Sequence, residues 1–355
     1  MKYKPLSVNY FASRVLEWYY SAKRDLPWRN ERDPYKVWVA EIILQQTRVE
    51  QGKPYFTRFI ETFPDVFTLA EASELRVLKI WEGLGYYSRA RNMHKCAKVI
   101  VKNYDGNFPE CFEDLLQLPG IGKYTAASVA SFAYREAVPA IDANVIRVLT
   151  RIFRIHEDPH KPKIQKLLFE KSLKLISKDS PDHYNQAMME LGALICKPKN
   201  PSCDKCPVMD FCEAYASGDQ LRYPYKKAKG KIRKRYFNYV ILKSGDKTYF
   251  QLRNDDDIWK GLYEFFLVES ETPIDIDELL HQVPNELLEE PRVMYESKEY
   301  RHLLSHQEIR ARFIEINTPG IQTKQSLKPF LFTKSRIRDL PKSVLLNKYL
   351  EERPI

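Results

Sequence analysis

The chain has 355 residues, too many for one ordinary hydrophobic core and suited to two domains. Lysine and arginine outnumber aspartate and glutamate by 57 to 47, and the resulting +10 suits a polyanionic partner without identifying one. Hydrophobic content of 44% argues for a folded globular protein, while apolar runs broken by charge exclude a membrane-spanning class.

At the N-terminus, residues 9–20 carry apolar positions at helical spacing with Glu17 among them, which reads as a mature helix and not as a leader. An intracellular, reducing compartment is therefore expected. The six cysteines agree with it: four cluster with ligand spacing, and Cys96 and Cys111 are left as buried or inert thiols. The string RDLPWRN follows, in which Trp28 alone reads as a core aromatic beside a proline turn.

A helix is expected over KVWVAEIILQQTRVEQ. Glu41 has Val37 and Trp38 one turn before it and Leu44 and Gln45 one turn after, so its carboxylate lies on an apolar face. Desolvation there raises a carboxyl pKa and keeps it protonated near neutral pH; pairing with a distant basic residue is the competing reading. Next comes WEGLGYYSRARNMHKCAKVI, residues 81–100, where Gly83 and Gly85 bend the chain. Tyr86 or Tyr87 suits a wedge between bases and Arg89 and Arg91 suit phosphates, against a purely structural aromatic turn.

The stretch LPGIGKYTAASVASFAYREAVPAIDANVIRVLTR, residues 118–151, joins a tight glycine turn, an alanine-rich helix and an isolated carboxylate. Gly120 and Gly122 let the backbone approach another surface, and the helix starting near Tyr124 offers unpaired amides and a positive dipole end to a phosphate, with Lys123 adding charge. Alone, such a turn serves helix packing equally well. Asp142 opens the next amphipathic segment, where a carboxylate caps the helix and can also face a groove.

Further helices are expected over residues 134–195, including DHYNQAMMELGALICK, which carries Glu190. Cys196, Cys203, Cys206 and Cys212 then form a C-x6-C-x2-C-x5-C run stiffened by Pro198, Pro201 and Pro207, enough to surround one metal centre. Zinc sites usually pair two C-x-x-C units and only one occurs here, which favours an iron–sulfur cluster and leaves zinc second. KKAKGKIRKR, residues 226–235, has seven basic residues in ten and no apolar period, so it reads as a linker able to follow a duplex backbone. Beyond it, RYFNYVILK and TYFQLR alternate like strands, and a last helix is expected near 342–352, making an α+β half.

LPGIGKYTA followed by AIDANVIRVL resembles the helix-hairpin-helix and catalytic-aspartate segment of the base-excision DNA glycosylases related to endonuclease III. RDLPWR, EIILQQTRV, WEGLGYYSRARN and the cysteine run are similar to the adenine DNA glycosylase (MutY) branch. The resemblance implies a mostly α N-terminal helix-hairpin-helix glycosylase domain over 1–225, with a six-helix part at about 25–135 and an iron–sulfur part at about 1–24 and 136–225. It also implies a basic linker at 226–235 and an α+β Nudix-like recognition domain at 236–355. No glutamate-rich metal helix follows Glu264, so no pyrophosphohydrolase activity is expected there.

The same resemblance implies Glu41 as acid, Asp142 as the charge beside the sugar, and Tyr124 and Asn144 as their partners. Arg24, Leu26, Trp28 and Arg29 wall a base pocket, Gln45, Gln46 and Thr47 lie at the DNA stack, and Glu190 contacts the excised adenine. Tyr86 belongs with these DNA contacts, Gly120, Gly122 and Lys123 hold phosphate, and the four cysteines hold a 4Fe-4S cluster. Ser305 and His306, in LLSH, match the loop that senses 8-oxoguanine, with Leu304 where phenylalanine is common; Ala143 stands where glycine is common. Endonuclease III enzymes place a Schiff-base lysine where this chain has Tyr124, and Lys123 is rotated by about 100° on the helix. The expectation is a monomeric, monofunctional adenine glycosylase of the cytoplasm and bacterial nucleoid, acting on double-stranded DNA with adenine opposite 8-oxoguanine or guanine.

Overall fold

The computed structural model describes residues 8–227, 232–254, 256–304 and 306–354. The chain divides into two compact units, the first made of Met1–Glu71 and Asn92–Ala228, the second of Ala72–Arg91 and Lys229–Ile355. The segment 72–91, which carries the tyrosine pair, thus groups with the C-terminal half.

Helices run α1 (Val8–Ala22), α2 (Pro34–Leu44), α3 (Val49–Thr62), α4 (Val66–Glu71), α5 (Glu74–Trp81), α6 (Ser88–Tyr104), α7 (Phe112–Leu115), α8 (Lys123–Tyr134), α9 (Ala143–Ile152), α10 (Pro162–Leu175) and α11 (Pro181–Glu190). The single helix expected over 36–51 is two. α2 starts on an Asp33 cap that accepts from the Tyr35 amide, with Pro34 as its first residue, and ends at Leu44. Gln46 then takes φ 56° before α3 begins, a left-handed turn that a glutamine adopts only where the surroundings hold it.

In the first unit one core joins Phe11, Val15 and Tyr19 of α1 to Val148 and Leu149 of α9, Leu168 of α10, and Tyr184 and Met188 of α11. α8 is buried on every side, eight successive residues from Thr125 to Phe132 being inaccessible, and its alanines and serines let neighbours approach closely. α11 runs into a π-helical turn at Leu191–Ile195, whose extra residue per turn re-aims the side chains that follow.

The second unit is built on a seven-stranded mixed sheet. β1 (Arg233–Ser244) pairs in parallel with β8 (Gln307–Asn317) and antiparallel with β2 (Lys247–Tyr249) and β5 (Phe266–Ser270). β6 (Arg292–Glu296) and β7 (Tyr300–Leu303) pair in succession along the other edge of β8, β9 (Leu331–Thr333) closes the β2 side, and β3 (Gln251–Leu252) and β4 (Tyr263–Glu264) form a separate pair. Phe237, Tyr239 and Ile241 face one core with Ile309, Ala311 and Phe313, while Val240 and Leu242 face the other with Ile314 and Ile316, the period-two alternation of a sheet covered on both sides. Short helices cover the two faces: α13 (Ile276–His281) one, and α14 (Lys334–Asp339) and α15 (Val344–Glu352) the other, with α12 (Glu213–Ala216) lying in the first unit. The α+β expectation holds.

The reading of 226–235 as a linker needs correction at its end. Residues 228–231 lie outside the described residues, but Arg233–Arg235 are already strand, paired with Gln307–Ile309. Arg235 is buried, donating to Asp257, Glu269 and Gln307, so that charge is committed inside the unit and not to a duplex. Among the described residues no helix is long and apolar enough to cross a membrane.

Candidate active site and cysteine loop

A cavity of about 170 Å³ in the first unit is lined by Arg24, Leu26, Trp28, Arg29, Glu41, Thr47, Tyr124, Asp142, Asn144 and Glu190. Segments separated by well over a hundred residues thus converge on one space. A cavity of roughly 150 Å³ holds one benzene ring, so the scale suits a ring system entering from outside.

Glu41, on the last turns of α2, is 6% exposed, and its Oε2 accepts a hydrogen bond from the Tyr124 hydroxyl. Burial pushes the Glu41 carboxyl up to about 7; the hydrogen bond from Tyr124 opposes this, and the charge of Asp142 adds to it. Burial likewise holds the Tyr124 hydroxyl well above its usual range, with Glu41 and Asp142 contributing, so it stays a donor.

Asp142 caps α9. One carboxylate oxygen accepts from the Val145 amide at 2.7 Å and the other from Asn144 Nδ2 at 2.7 Å. Burial raises this carboxyl too, but the Val145 and Asn144 donors and the Arg147 charge work against the rise. Asn144 is itself fixed: Arg147 Nη2 donates to its Oδ1 at 2.8 Å and to the Gly192 carbonyl at 2.9 Å, while Arg147 Nε donates to the Cys196 carbonyl at 2.7 Å. Ala143, the first residue of α9, is exposed and absorbs its methyl without a clash.

On the opposite wall, Glu190 is 1% exposed and both its oxygens are taken by arginines. Arg24 Nη2 pairs with it at 2.7 Å, and Arg29 donates to it directly. Gln186 accepts from Arg29 at 3.2 Å and from the Tyr19 hydroxyl at 2.6 Å, which locks the arginine plane. Trp28 packs edge-on against Phe56 at 5.3 Å, and both Trp28 and Leu26 are buried.

Gln45 donates to Thr125 Oγ1 at 3.1 Å, Gln46 is exposed on its left-handed turn, and Thr47 reaches the cavity wall. In the glycine hairpin the Ile121 amide closes on the Leu118 carbonyl at 3.2 Å, and Gly120 has φ 78° with Asn92 so close that an added Cβ would sit 2.7 Å from the Asn92 Cβ. Gly122 and Lys123 are exposed, and among the described residues no side chain caps the start of α8. Lys123 is absent from the cavity that Glu41 and Asp142 line, and with Tyr124 it lines a separate one. Tyr86 and His306 belong to the second unit. Tyr86 is exposed on its turn, whereas Tyr87 is buried. Arg89 and Arg91, proposed for phosphates, are instead half-buried, donating to the carbonyls of Gly85 and Lys260. His306 is exposed on the β7–β8 turn, Ser305 lies outside the described residues, and Leu304 packs into a core of its unit.

Sequence reasoning missed Gln186, Met189 and Ala193 on the cavity wall, and Arg147 and Gly192 behind it. Gln186 lies one helical turn before Glu190 and was within reach of a periodicity argument. The π-helical turn that brings Ala193 round has no local signature.

Cys196, Cys203, Cys206 and Cys212 line a second, smaller cavity, with Val148, Ile152, Leu191 and Val208 around them. A set of four thiols ringing one cavity suits a polynuclear cluster. Arg151 Nη1 donates to Cys196 Sγ at 3.2 Å and to the Lys197 carbonyl at 2.9 Å, bringing a buried positive charge to the sulfurs. Cys96 is buried, and burial pushes its thiol up to about 12.

Known proteins resemble this chain in sequence and in fold. The family described as HhH-GPD superfamily base excision DNA repair protein matches residues 39–173, and the iron-sulfur binding domain of endonuclease III matches residues 196–212. The chain is 37% identical over 265 residues to the adenine DNA glycosylase of Buchnera aphidicola subsp. Schizaphis graminum, covering 73% of this chain and 75% of that protein. It is 42% identical over 217 residues to the adenine DNA glycosylase of Mus musculus, covering 59% of this chain and 42% of the mouse protein. Among solved structures it resembles a thermostable thymine-DNA glycosylase with a TM-score of 0.55 at 29% identity, over 59% of this chain and 96% of that one. A non-covalent endonuclease III–DNA complex, at 23% identity and a TM-score of 0.51, shares the fold over 60% of this chain and 99% of that one.

Proposed function

The chain belongs to the adenine DNA glycosylase family, base-excision repair N-glycosylases with an iron–sulfur cluster, and from that membership we propose a monofunctional enzyme that removes adenine paired with 8-oxoguanine or guanine. The observation that carries this reading is the placement of Glu41 and Asp142 on one cavity, with Tyr124 bonded to Glu41 and, among the described residues, no lysine on its wall.

Breaking the bond between the sugar and adenine leaves the bonding electrons on the purine and positive charge on the sugar. Glu41, held protonated near neutral pH, gives its proton to a ring nitrogen, so the base departs neutral. Asp142, oriented by Val145 and Asn144, faces the sugar and stabilises the oxocarbenium-like state until water adds. Tyr124 fixes the Glu41 carboxyl, and Arg24 and Arg29, pinned by Glu190, with Leu26 and Trp28, shape the wall for the flipped base. The exposed Gly122 and Lys123 at the start of α8 suit a backbone phosphate. Cys196, Cys203, Cys206 and Cys212 hold the cluster, which when bound supplies a covalent cross-link to their loop; glycosidic hydrolysis itself moves no electrons between centres.

The test uses end-labelled duplexes bearing adenine opposite 8-oxoguanine, adenine opposite guanine, or thymine glycol opposite adenine, each quenched with and without hot alkali. Breaks at adenine only after alkali are expected. Breaks without alkali, chiefly at the oxidised pyrimidine, or abundant borohydride-trapped adduct, would replace this reading with a glycosylase/lyase one.

A further inference from the structure

The tyrosine turn that follows α5 is tied to the C-terminal part of its own unit by a group of bonds centred on the Glu82 carboxylate. Glu82 Oε1 accepts from Asn347 Nδ2 at 2.8 Å and from the Lys342 amide at 3.2 Å, and Oε2 pairs with Lys79 Nζ at 2.6 Å. The Lys79 ammonium also donates to the Arg338 carbonyl at 2.7 Å, and the Lys342 ammonium donates to the carbonyls of Ile337 and Leu340, each at 2.9 Å. Tyr87, buried beneath, donates to the Lys342 carbonyl at 3.4 Å and accepts from the Gly83 amide at 3.2 Å. Residues 82–87 are thereby stitched to residues 337–347.

What this stitching holds is a strained turn. Gly83 and Gly85 have φ of 99° and 75°, as glycines do readily, but Tyr86 has φ 48° and is 47% exposed. A left-handed tyrosine persists only where its surroundings impose it. Arg89 completes the posture: its guanidinium lies 5.1 Å from the Trp81 ring centre and 5.8 Å from that of Tyr86, and it donates to the Gly85 carbonyl at 3.2 Å. An aromatic ring projecting from a fixed turn is the form of a side chain that enters a base stack.

We infer that Glu82 is a positioning residue: through Asn347 and Lys342 it makes the C-terminal segment 337–347 hold Tyr86 in the posture that wedges into the duplex beside the mispair. The inference rests on the glycosylase reading and extends it, because the unit without the two catalytic carboxylates then controls how far the bases open. Without the Glu82 acceptor the turn relaxes from its left-handed conformation, and the stack closes on the target base.

The experiment uses the full-length protein and a duplex with 2-aminopurine beside 8-oxoguanine opposite adenine. It follows the rise of 2-aminopurine fluorescence on binding, together with single-turnover adenine release. Tyr86→Ser is expected to abolish the fluorescence rise. Glu82→Ala should lose most of the rise and slow adenine release about tenfold, and Asn347→Ala should do the same to a smaller extent. Glu82→Gln, which keeps an acceptor oxygen for Asn347 and the Lys342 amide, should recover most of both. In a Tyr86→Ser background, Glu82→Ala should cost nothing further, whereas a role in stability alone would multiply the two losses. A parent-level rise in Glu82→Ala, a double variant well below Tyr86→Ser, or no rise in the parent would overturn the inference. A parent that opens the stack yet releases no adenine would overturn the glycosylase reading and leave the role of Glu82 standing.

Discussion

The Tyr124 hydroxyl donates to Oε2 of Glu41, a residue 83 positions away along the chain, and through this contact the hairpin helix α8 controls the carboxyl that α2 buries. Burial wins over the bond: the carboxyl still titrates at about 7, against an ordinary 4.5. The adenine-release rate should therefore fall about tenfold per pH unit above roughly pH 7, as the protonated acid disappears. A single-turnover profile that stays flat from pH 6 to 9 would remove Glu41 from the acid role.

The same shift makes a stability prediction. Between pH 4.5 and about 7 the folded chain keeps a proton on Glu41 that the unfolded chain has released, so stability falls as pH rises through that window. Glu41→Gln removes the linkage. The variant should lose base release by at least about a hundredfold yet melt a few degrees above the parent at pH 8, with the gain vanishing near pH 4. Equal melting differences at both pH values would contradict the buried, protonated state.

Asp142→Asn separates chemistry from capping. Asparagine caps a helix as well as aspartate does, so the Val145 contact and the start of α9 survive. The negative charge beside the sugar does not. Base release should fall at least about a thousandfold, with duplex affinity within a few-fold of the parent. Turnover close to parental would sink the mechanism.

Gly192 tests the support behind that aspartate. A Cβ there would lie 2.5 Å from the Asn144 Cβ and 2.9 Å from its carbonyl oxygen, and the backbone cannot give way cheaply. Gly192→Ala should displace Asn144, loosen its bond to Asp142, and slow the single-turnover step about tenfold or more, while the dissociation constant for an uncleavable duplex stays put. Parallel loss of binding would mean that the turn serves DNA contact instead.

The sequence made some of these relationships readable and hid others for physical reasons. Glu41 was legible because apolar residues surround it at helical spacing. Asp142 was legible as a cap, and the four cysteines as one site, from local spacing alone. The break at Gln45–Arg48 was not, since no glycine or proline marks it and the left-handed Gln46 is imposed by packing. The π-helical turn at Leu191–Ile195 and the Arg147 bridge depend on a carbonyl that only the folded chain supplies. Arg235 was misread as part of the basic linker because its acids, Asp257 and Glu269, arrive from distant positions.

That arginine gives the last prediction. Burial alone would raise the Asp257 carboxyl, but hydrogen bonds from Arg235 and the Ile258 amide, with the charges of Arg235 and Arg253, overcome it and hold it at about 2. A depressed carboxyl contributes stability that is present above about pH 4 and is lost as pH falls through about 2. Arg235→Met keeps the apolar stem yet leaves Asp257 and Glu269 without their shared partner. Both carboxylates are a third exposed, so water offsets part of the loss, and a cost of about 2–3 kcal/mol is expected, below the value for a fully buried pair. Acid unfolding should move to higher pH as Asp257, still held by Arg253 and the Ile258 amide, regains part of its affinity for protons. Hydrogen exchange at the β1 and β8 amides at pH 4 and pH 7 reads both effects, and protection equal to the parent at both pH values would mean that Arg235 contributes no net stability to the sheet.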